Sequence, residues 1–164
     1  MSLPAVEKEL SLHLRPREAF TRFTVGIGKW WPLHVQAVSK ETVADAFVEP
    51  EVGGMIGEID RHGQKEPWGK VLEWDEGKML AATWHPGRSA STAQRLVVSF
   101  EEDRNGSLLR LHHSDWDKHP DNREAARKDY ETGWDFVLGC FTSWLAREEA
   151  DEEDPERHGG SPGS

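Results

Sequence analysis

His113 and Asp115 stand two residues apart in the stretch LLRLHHSDW, residues 108–116. On a strand that spacing puts both on one face with Leu109 and Leu111. An imidazole that titrates near neutrality would then sit beside a carboxylate at the edge of an apolar surface. Such a pair could orient a ligand, or serve as acid and base with Glu58, which shares a strand face with Ile56, as a further carboxylate. The same pattern fits a hydrogen-bonded core histidine followed by a strand-end carboxylate. For catalysis that plainer reading is preferred; for a polar contact from His113 to a ligand both readings stay open.

Other chemistries find less support. His112 and His113 point to opposite sides of a strand and cannot chelate one ion together from regular β geometry, and His13, His34, His62, His119 and His158 lack ligand spacing. No metal and no cofactor is expected. Ser114 faces away from His113, no G-x-S-x-G occurs, and Cys140 lies in a helical pattern without an activating base, so no catalytic residue is assigned. The glycines of PEVGGMIG lack the Lys-Ser/Thr pair of a phosphate loop and mark a turn or bulge.

The elements that must position these residues are legible from periodicity. Val6 to Leu14 alternates as a half-buried strand. Pro16 and Glu18 suit the first turn of a helix whose apolar stripe is Ala19, Phe20 and Phe23. Gly26 and Gly28 end it, and GKWWP follows as a second, shorter helical turn. From Thr42 onward, turn residues recur about every ten positions, the cadence of an antiparallel sheet. Strands are predicted near 44–49, 54–61, 68–75, 78–85, 94–102 and 107–116, with Asn105-Gly106 as the hairpin signal between the last two. Alternation gives one face to Leu80, Ala82 and Trp84, one to Leu96, Val98 and Phe100, and one to Leu109, Leu111 and His113.

Asp121 as N-cap with Glu124 begins a long helix. Its stripe is Tyr130, Trp134, Val137, Leu138, Phe141 and Leu145. Gly133 and Gly139 within it each cost about 1 kcal/mol relative to alanine, which predicts a close approach or a bend there. The whole reads as an α+β domain over 1–147 whose curved antiparallel sheet of about seven strands wraps the last helix. Residues 148–164, acidic and ending in GGSPGS, read as a disordered tail. One helix cannot fill such a sheet, so large side chains complete the interior or a cavity stays open.

Of 164 residues, 30 are Asp or Glu and 20 are Lys or Arg, giving a formal charge of −10. Seven of the acids fall after residue 147, so the body is only mildly acidic and has no basic stripe for nucleic acid. A single cysteine excludes an internal disulfide framework, no secretory h-region opens the chain, and no apolar run suits a membrane span. A cytoplasmic location is the expectation, as monomer or homodimer. Eight Trp and six Phe stand against one Tyr; at roughly 200 Å² each, the indoles would dominate the interior.

The order of elements, with VEKEL, PREAFTRFT, Trp31-Pro32, EPEVGG, GKVLEWDEGKMLAATW, LRLHHSDW and GWDFVLGCFTSWL, resembles the START-like helix-grip superfamily, also called SRPBCC. Within it the likeness is to the domain related to the activator of the ninety-kilodalton heat-shock chaperone ATPase, over about residues 5–147. The resemblance implies a helix-grip fold with two short helices after the first strand. Its members include chaperone activators, lipid and hormone carriers, and aromatase/cyclases. It therefore implies a small hydrophobic ligand in a cavity between sheet and last helix. Trp31, Trp84, Phe100, Leu111, His113, Trp134, Leu138 and Phe141 are the candidate cavity residues. An enzyme of cyclase, dehydratase or hydrolase type and a chaperone-modulating domain are the alternatives. In helix-grip proteins GKWWP falls at the cavity mouth, so Trp31 is expected to turn inward as wall or plug, with Trp30 nearer the surface.

Overall fold

A computed structural model describes residues 3–33, 35–120 and 122–153. Seven strands form one antiparallel sheet: β1 (Val6–Leu12), β2 (Val43–Val48), β3 (Met55–Asp60), β4 (Lys65–Asp75), β5 (Met79–Trp84), β6 (Gln94–Asp103) and β7 (Gly106–Ser114). Their order across the sheet is β1-β7-β6-β5-β4-β3-β2, so the first strand closes against the last. Helix α1 (Pro16–Thr24) and a 3-10 turn (Ile27–Lys29) follow β1, and helix α2 (Arg123–Glu153) ends the fold against the sheet's concave face. This is the α+β arrangement expected from the alternation.

Period-two patterning places the core directly. Leu96, Val98 and Phe100 of β6 and Leu109, Leu111 and His113 of β7 are all buried, and Val98 faces Leu111 across the ladder. Phe20 and Phe23 of α1 meet Phe100 edge-on at 5.9 and 5.7 Å between ring centroids, a preferred aromatic geometry. Phe141 of α2 meets Phe23 at 5.1 Å, so both helices share one core with the sheet.

Two local readings are corrected, and a third falls outside the described residues. The β3–β4 turn is shorter than RHGQKEP suggests, because the Asp60 carboxylate accepts from His62 N and Gln64 N and closes it early; Pro67 then enters the strand beside a register shift, where its missing N–H is tolerated. The long helix runs through Glu153, six residues into the stretch expected as tail, while 154–164 lie outside the described residues. Asp121, the expected cap, also lies outside them; Asn122 supplies a capping oxygen to Ala125 N at 3.2 Å.

The two helix glycines have no close neighbour: a Cβ built at Gly133 or Gly139 meets nothing within 4 Å. The expected close approach is absent, and their backbone-entropy cost stands uncompensated by packing. Gly139→Ala is accordingly expected to stabilise the protein by about 0.5–1 kcal/mol, read as a higher urea midpoint at unchanged slope. Gly28 differs. A Cβ there would lie 2.1 Å from Asp45 Oδ1 and 2.9 Å from Ala46 O, so glycine lets the 3-10 turn press against β2 and fixes where the two following tryptophans start.

Candidate functional site

Four tryptophans converge where the sheet opens. Trp68 comes from β4, Trp84 ends β5, Trp134 lies on the inner face of α2, and Trp31 follows the 3-10 turn. The Trp31 centroid is 4.8 Å from that of Trp68 and 6.2 Å from those of Trp84 and Trp134. Trp68–Trp84 and Trp84–Trp134 are 5.9 and 5.5 Å apart. Beside the cluster is a pocket of about 400 Å³, completed by Gln36 and Val38 on one side and by Pro86, Tyr130 and Val137 on the other. Its size falls in the range of small-molecule sites.

Three of the four indole N–H groups are already bonded by protein. Trp31 Nε1 donates to Gln36 O at 2.7 Å, Trp68 Nε1 to Glu58 Oε1 at 2.7 Å, and Trp134 Nε1 to His113 Nδ1 at 3.0 Å. The fourth, Trp84 Nε1, is buried without a hydrogen-bond partner. Burial raises the Tyr130 pKa, and the Arg88 charge and then the nearby Trp84 N–H offset only part of that rise. Tyr130 therefore stays a neutral phenol on the pocket wall.

Glu58 and His113 are both fully buried, and neither lines the pocket. Glu58 accepts from Val38 N at 2.7 Å, Ser39 N at 2.6 Å, the Ser39 hydroxyl and the Trp68 indole. Burial alone would raise its pKa; the bonds from Ser39, Val38 and Trp68 outweigh that and hold it below the ordinary 4.5. An ionised carboxylate saturated by donors is an anchor for the 38–39 backbone, and its oxygens have little capacity left to take a proton from a substrate.

His113 accepts from Trp134 at Nδ1, which places its proton on Nε2, 3.4 Å from Gln94 Oε1. Gln94 Nε2 in turn donates to Thr92 O at 2.7 Å. Trp116 lies against the imidazole at 4.2 Å and Tyr130 meets its edge at 4.7 Å. Burial first, then the nearby His119 and His112, lowers its pKa from 6.5 to about 3. His113 is thus a neutral core histidine that orients Trp134. Asp115 does not join it: β7 ends at Ser114, and Asp115 turns outward with φ 67° into solvent.

The pKa of His113 has a consequence for stability. The unfolded chain takes up this proton near pH 6.5 and the folded one only near 3. Its contribution is therefore complete above about 6.5 and lost as pH falls towards 3, at up to about 1.4 kcal/mol per pH unit for one proton. Urea unfolding between pH 7 and 4 is expected to report that loss, and His113→Gln to flatten it.

Of the eight candidate cavity residues, Trp31, Trp84 and Trp134 line the pocket. His113 stands behind Trp134, while Phe100, Leu111, Leu138 and Phe141 are buried at 3%, 1%, 2% and 0% exposure in the closed core. The interior is therefore mostly filled by side chains, and the open space lies at one end. Trp30 is corrected: it is 4% exposed, packs on Phe23 and Phe141 at 4.9 Å each, and donates to Arg22 O. The adjacent rings stay in tilted contact at 5.7 Å, Trp30 facing the core and Trp31 the pocket.

Trp68 and Tyr130 are pocket residues that sequence reasoning did not assign to it. Strict alternation groups Trp68 with Lys70 and Leu72, both exposed. Irregular pairing along β4 instead turns Trp68 and Val71 inward together. Tyr130 was visible on the helical stripe, four residues before Trp134. Among the described residues, no group of three His, Cys, Asp or Glu side chains could hold a metal ion, and no helix is long and apolar enough to cross a membrane.

A seven-stranded antiparallel sheet gripping one long C-terminal helix defines the START-like helix-grip class. Within it the chain belongs to the family of activator of Hsp90 ATPase homolog 1-like proteins, whose profile matches residues 14–146. Among solved structures, a protein from Mesorhizobium loti is similar at 18% identity and TM-score 0.64, covering 87% of this chain and 97% of its own. The Aha1 dimer from Colwellia psychrerythraea is similar at 18% identity and TM-score 0.57, over 83% and 91% of the two chains. An anthrahydroquino-gamma-pyrone synthase is similar at 28% identity and TM-score 0.54, over 79% and 88%. Comparison with curated proteins gives no match.

Proposed function

We propose that this protein binds a small, mainly apolar molecule in the tryptophan-lined pocket and acts as a carrier or sensor. The observation that carries this is the pocket wall. Four indoles form one wall of about 400 Å³ of space, and three of their N–H groups are turned to protein acceptors, which leaves mostly carbon facing a ligand. Apolar walls with a few fixed polar groups, here Tyr130 and Gln36, are the usual make-up of small-molecule sites.

The test is spectroscopic and analytical. Apolar ligands are expected to quench or shift tryptophan emission, and a hydrophobic compound is expected to appear in mass spectra of solvent extracts of the native protein. An unchanged emission across a broad ligand set, together with empty extracts, would remove this reading.

A second reading, an enzyme acting on a pocket-bound aromatic substrate, draws on the likeness to the anthrahydroquino-gamma-pyrone synthase and on Tyr130 and Asp129 side by side at the pocket. It requires turnover that Tyr130→Phe abolishes. Loss of binding without any product formed by the wild type would leave the carrier role alone.

A further inference from the structure

Three sides of the tryptophan cluster stand on regular elements and the fourth stands on a link. Trp68, Trp84 and Trp134 sit on β4, β5 and α2 and are 1%, 3% and 3% exposed. Trp31 is only partly buried and lies on the link after the 3-10 turn, yet its ring touches all three. Hydrogen bonds tie the ring to its own link: Trp31 Nε1 donates to Gln36 O, and Val35 N and Gln36 N both donate to Pro32 O. Its far end is fastened at Val38 and Ser39 by Glu58.

Trp31, Val35 and Ala37 also line a second, wider hollow of about 870 Å³ on the outer side, together with Leu33 and Val43. Trp31 therefore stands between an inner aromatic pocket and an outer hollow that is apolar apart from Glu41. Its movement outward would merge them without disturbing any strand or α2.

Resting on the ligand-binding reading above, we infer that Trp31 is the built-in occupant of this site and that the ligand is a planar fused aromatic molecule, which binds by taking the place of the Trp31 indole against Trp68, Trp84 and Trp134. The geometry sets the class. Walls spaced for an indole, with tilted and edge contacts at 4.8–6.2 Å, suit another flat ring system. A flexible chain of equal carbon number makes the same area of contact only by ordering many rotatable bonds. Displacing Trp31 also weakens apparent affinity, because the binding-competent state is a minority of the population.

The experiment uses the full chain labelled with 5-fluorotryptophan, with the Trp31 resonance assigned by its loss in Trp31→Phe. Uncharged 2-naphthol and 1-decanol, of equal carbon number, are titrated by calorimetry and by fluorine NMR. The expected result is binding of 2-naphthol in preference to 1-decanol, with the Trp31 signal alone moving to a solvent-exposed position at saturation. Trp31→Ala is expected to bind 2-naphthol at least about tenfold more tightly, roughly 1.4 kcal/mol. If 2-naphthol binds the wild type and the Trp31 signal stays in place, the displacement is wrong, and that result needs no folded variant. A folded Trp31→Ala that binds 2-naphthol no more tightly overturns it as well. Preference for 1-decanol overturns the ligand class while leaving the carrier reading intact; binding of neither compound by wild type or variant overturns this inference, and the carrier reading is then decided by the broad ligand set and the solvent extracts.

Discussion

Glu58→Gln is expected to lower stability by about 3–5 kcal/mol, the largest effect of any single polar substitution in this protein. The carboxylate receives hydrogen bonds from two backbone N–H groups, one hydroxyl and one indole. Glutamine keeps one acceptor oxygen and turns an NH2 towards the remaining donors, so one or two N–H groups lose their partner at about 1–3 kcal/mol each and face a like donor, with the loss of charge assistance added. Urea unfolding at pH 7 should show the midpoint fall with little change in slope. A shift under 1 kcal/mol would mean that the segment at Val38–Ser39 is held by something other than this carboxylate.

The same substitution changes the acid limb of stability. Because the folded pKa of Glu58 lies below the ordinary 4.5, its contribution is complete above about 4.5 and is lost as pH falls through the lowered folded value. The wild type should therefore weaken first below pH 6.5, through His113, and again below 4.5 through Glu58. Glu58→Gln should keep the first loss and lack its share of the second.

Trp134→Ala is the other large change, expected to destabilise by about 3–5 kcal/mol. It removes a ring 3% exposed that touches Trp31, Trp84 and Tyr130, and it strips the donor from His113 Nδ1. Trp134→Phe separates the two contributions: it keeps most of the ring contact and deletes the N–H, for an expected loss of about 1–3 kcal/mol from the unpaired imidazole nitrogen. Equal losses for the two variants, measured by denaturant unfolding, would place all of the energy in the hydrogen bond. Ligand binding should suffer more in Trp134→Ala than in Trp134→Phe, since the proposed wall is the ring face.

Much of this architecture follows from local pattern. The strands of the antiparallel sheet lie within a few residues of where alternation and turn chemistry put them, because each strand buries one face and must keep its polar positions out. The α2 stripe from Trp134 to Phe141 is likewise buried, as a 3.6-residue period requires against a single apolar surface. Departures occur where a side chain or a pairing irregularity competes with the pattern. Asp60 shortens a turn through two backbone bonds, and Asp115 leaves the strand face because the ladder stops one residue before it.

The site was less legible for a reason that Glu58 and His113 illustrate. In the chain they are a carboxylate and an imidazole on inward faces, which equally describes catalytic groups and core groups. Only their partners decide: four donors fill Glu58, while Trp134 and Gln94 bracket His113. Those partners lie between 10 and 21 residues away along the chain, beyond the reach of any local period.

By itself, then, the sequence determined the fold class, the faces of the strands, the aromatic character of the interior and the family resemblance, since all of these are written in short-range periodicity and residue type. Tertiary structure decided which tryptophans meet. Trp30 and Trp31 are neighbours in sequence, yet one closes the core against Phe141 and the other stands between two hollows. That division arises from where the 3-10 turn crosses β2 at Gly28, a contact between segments about seventeen residues apart, and from the packing that only a closed sheet and helix can impose.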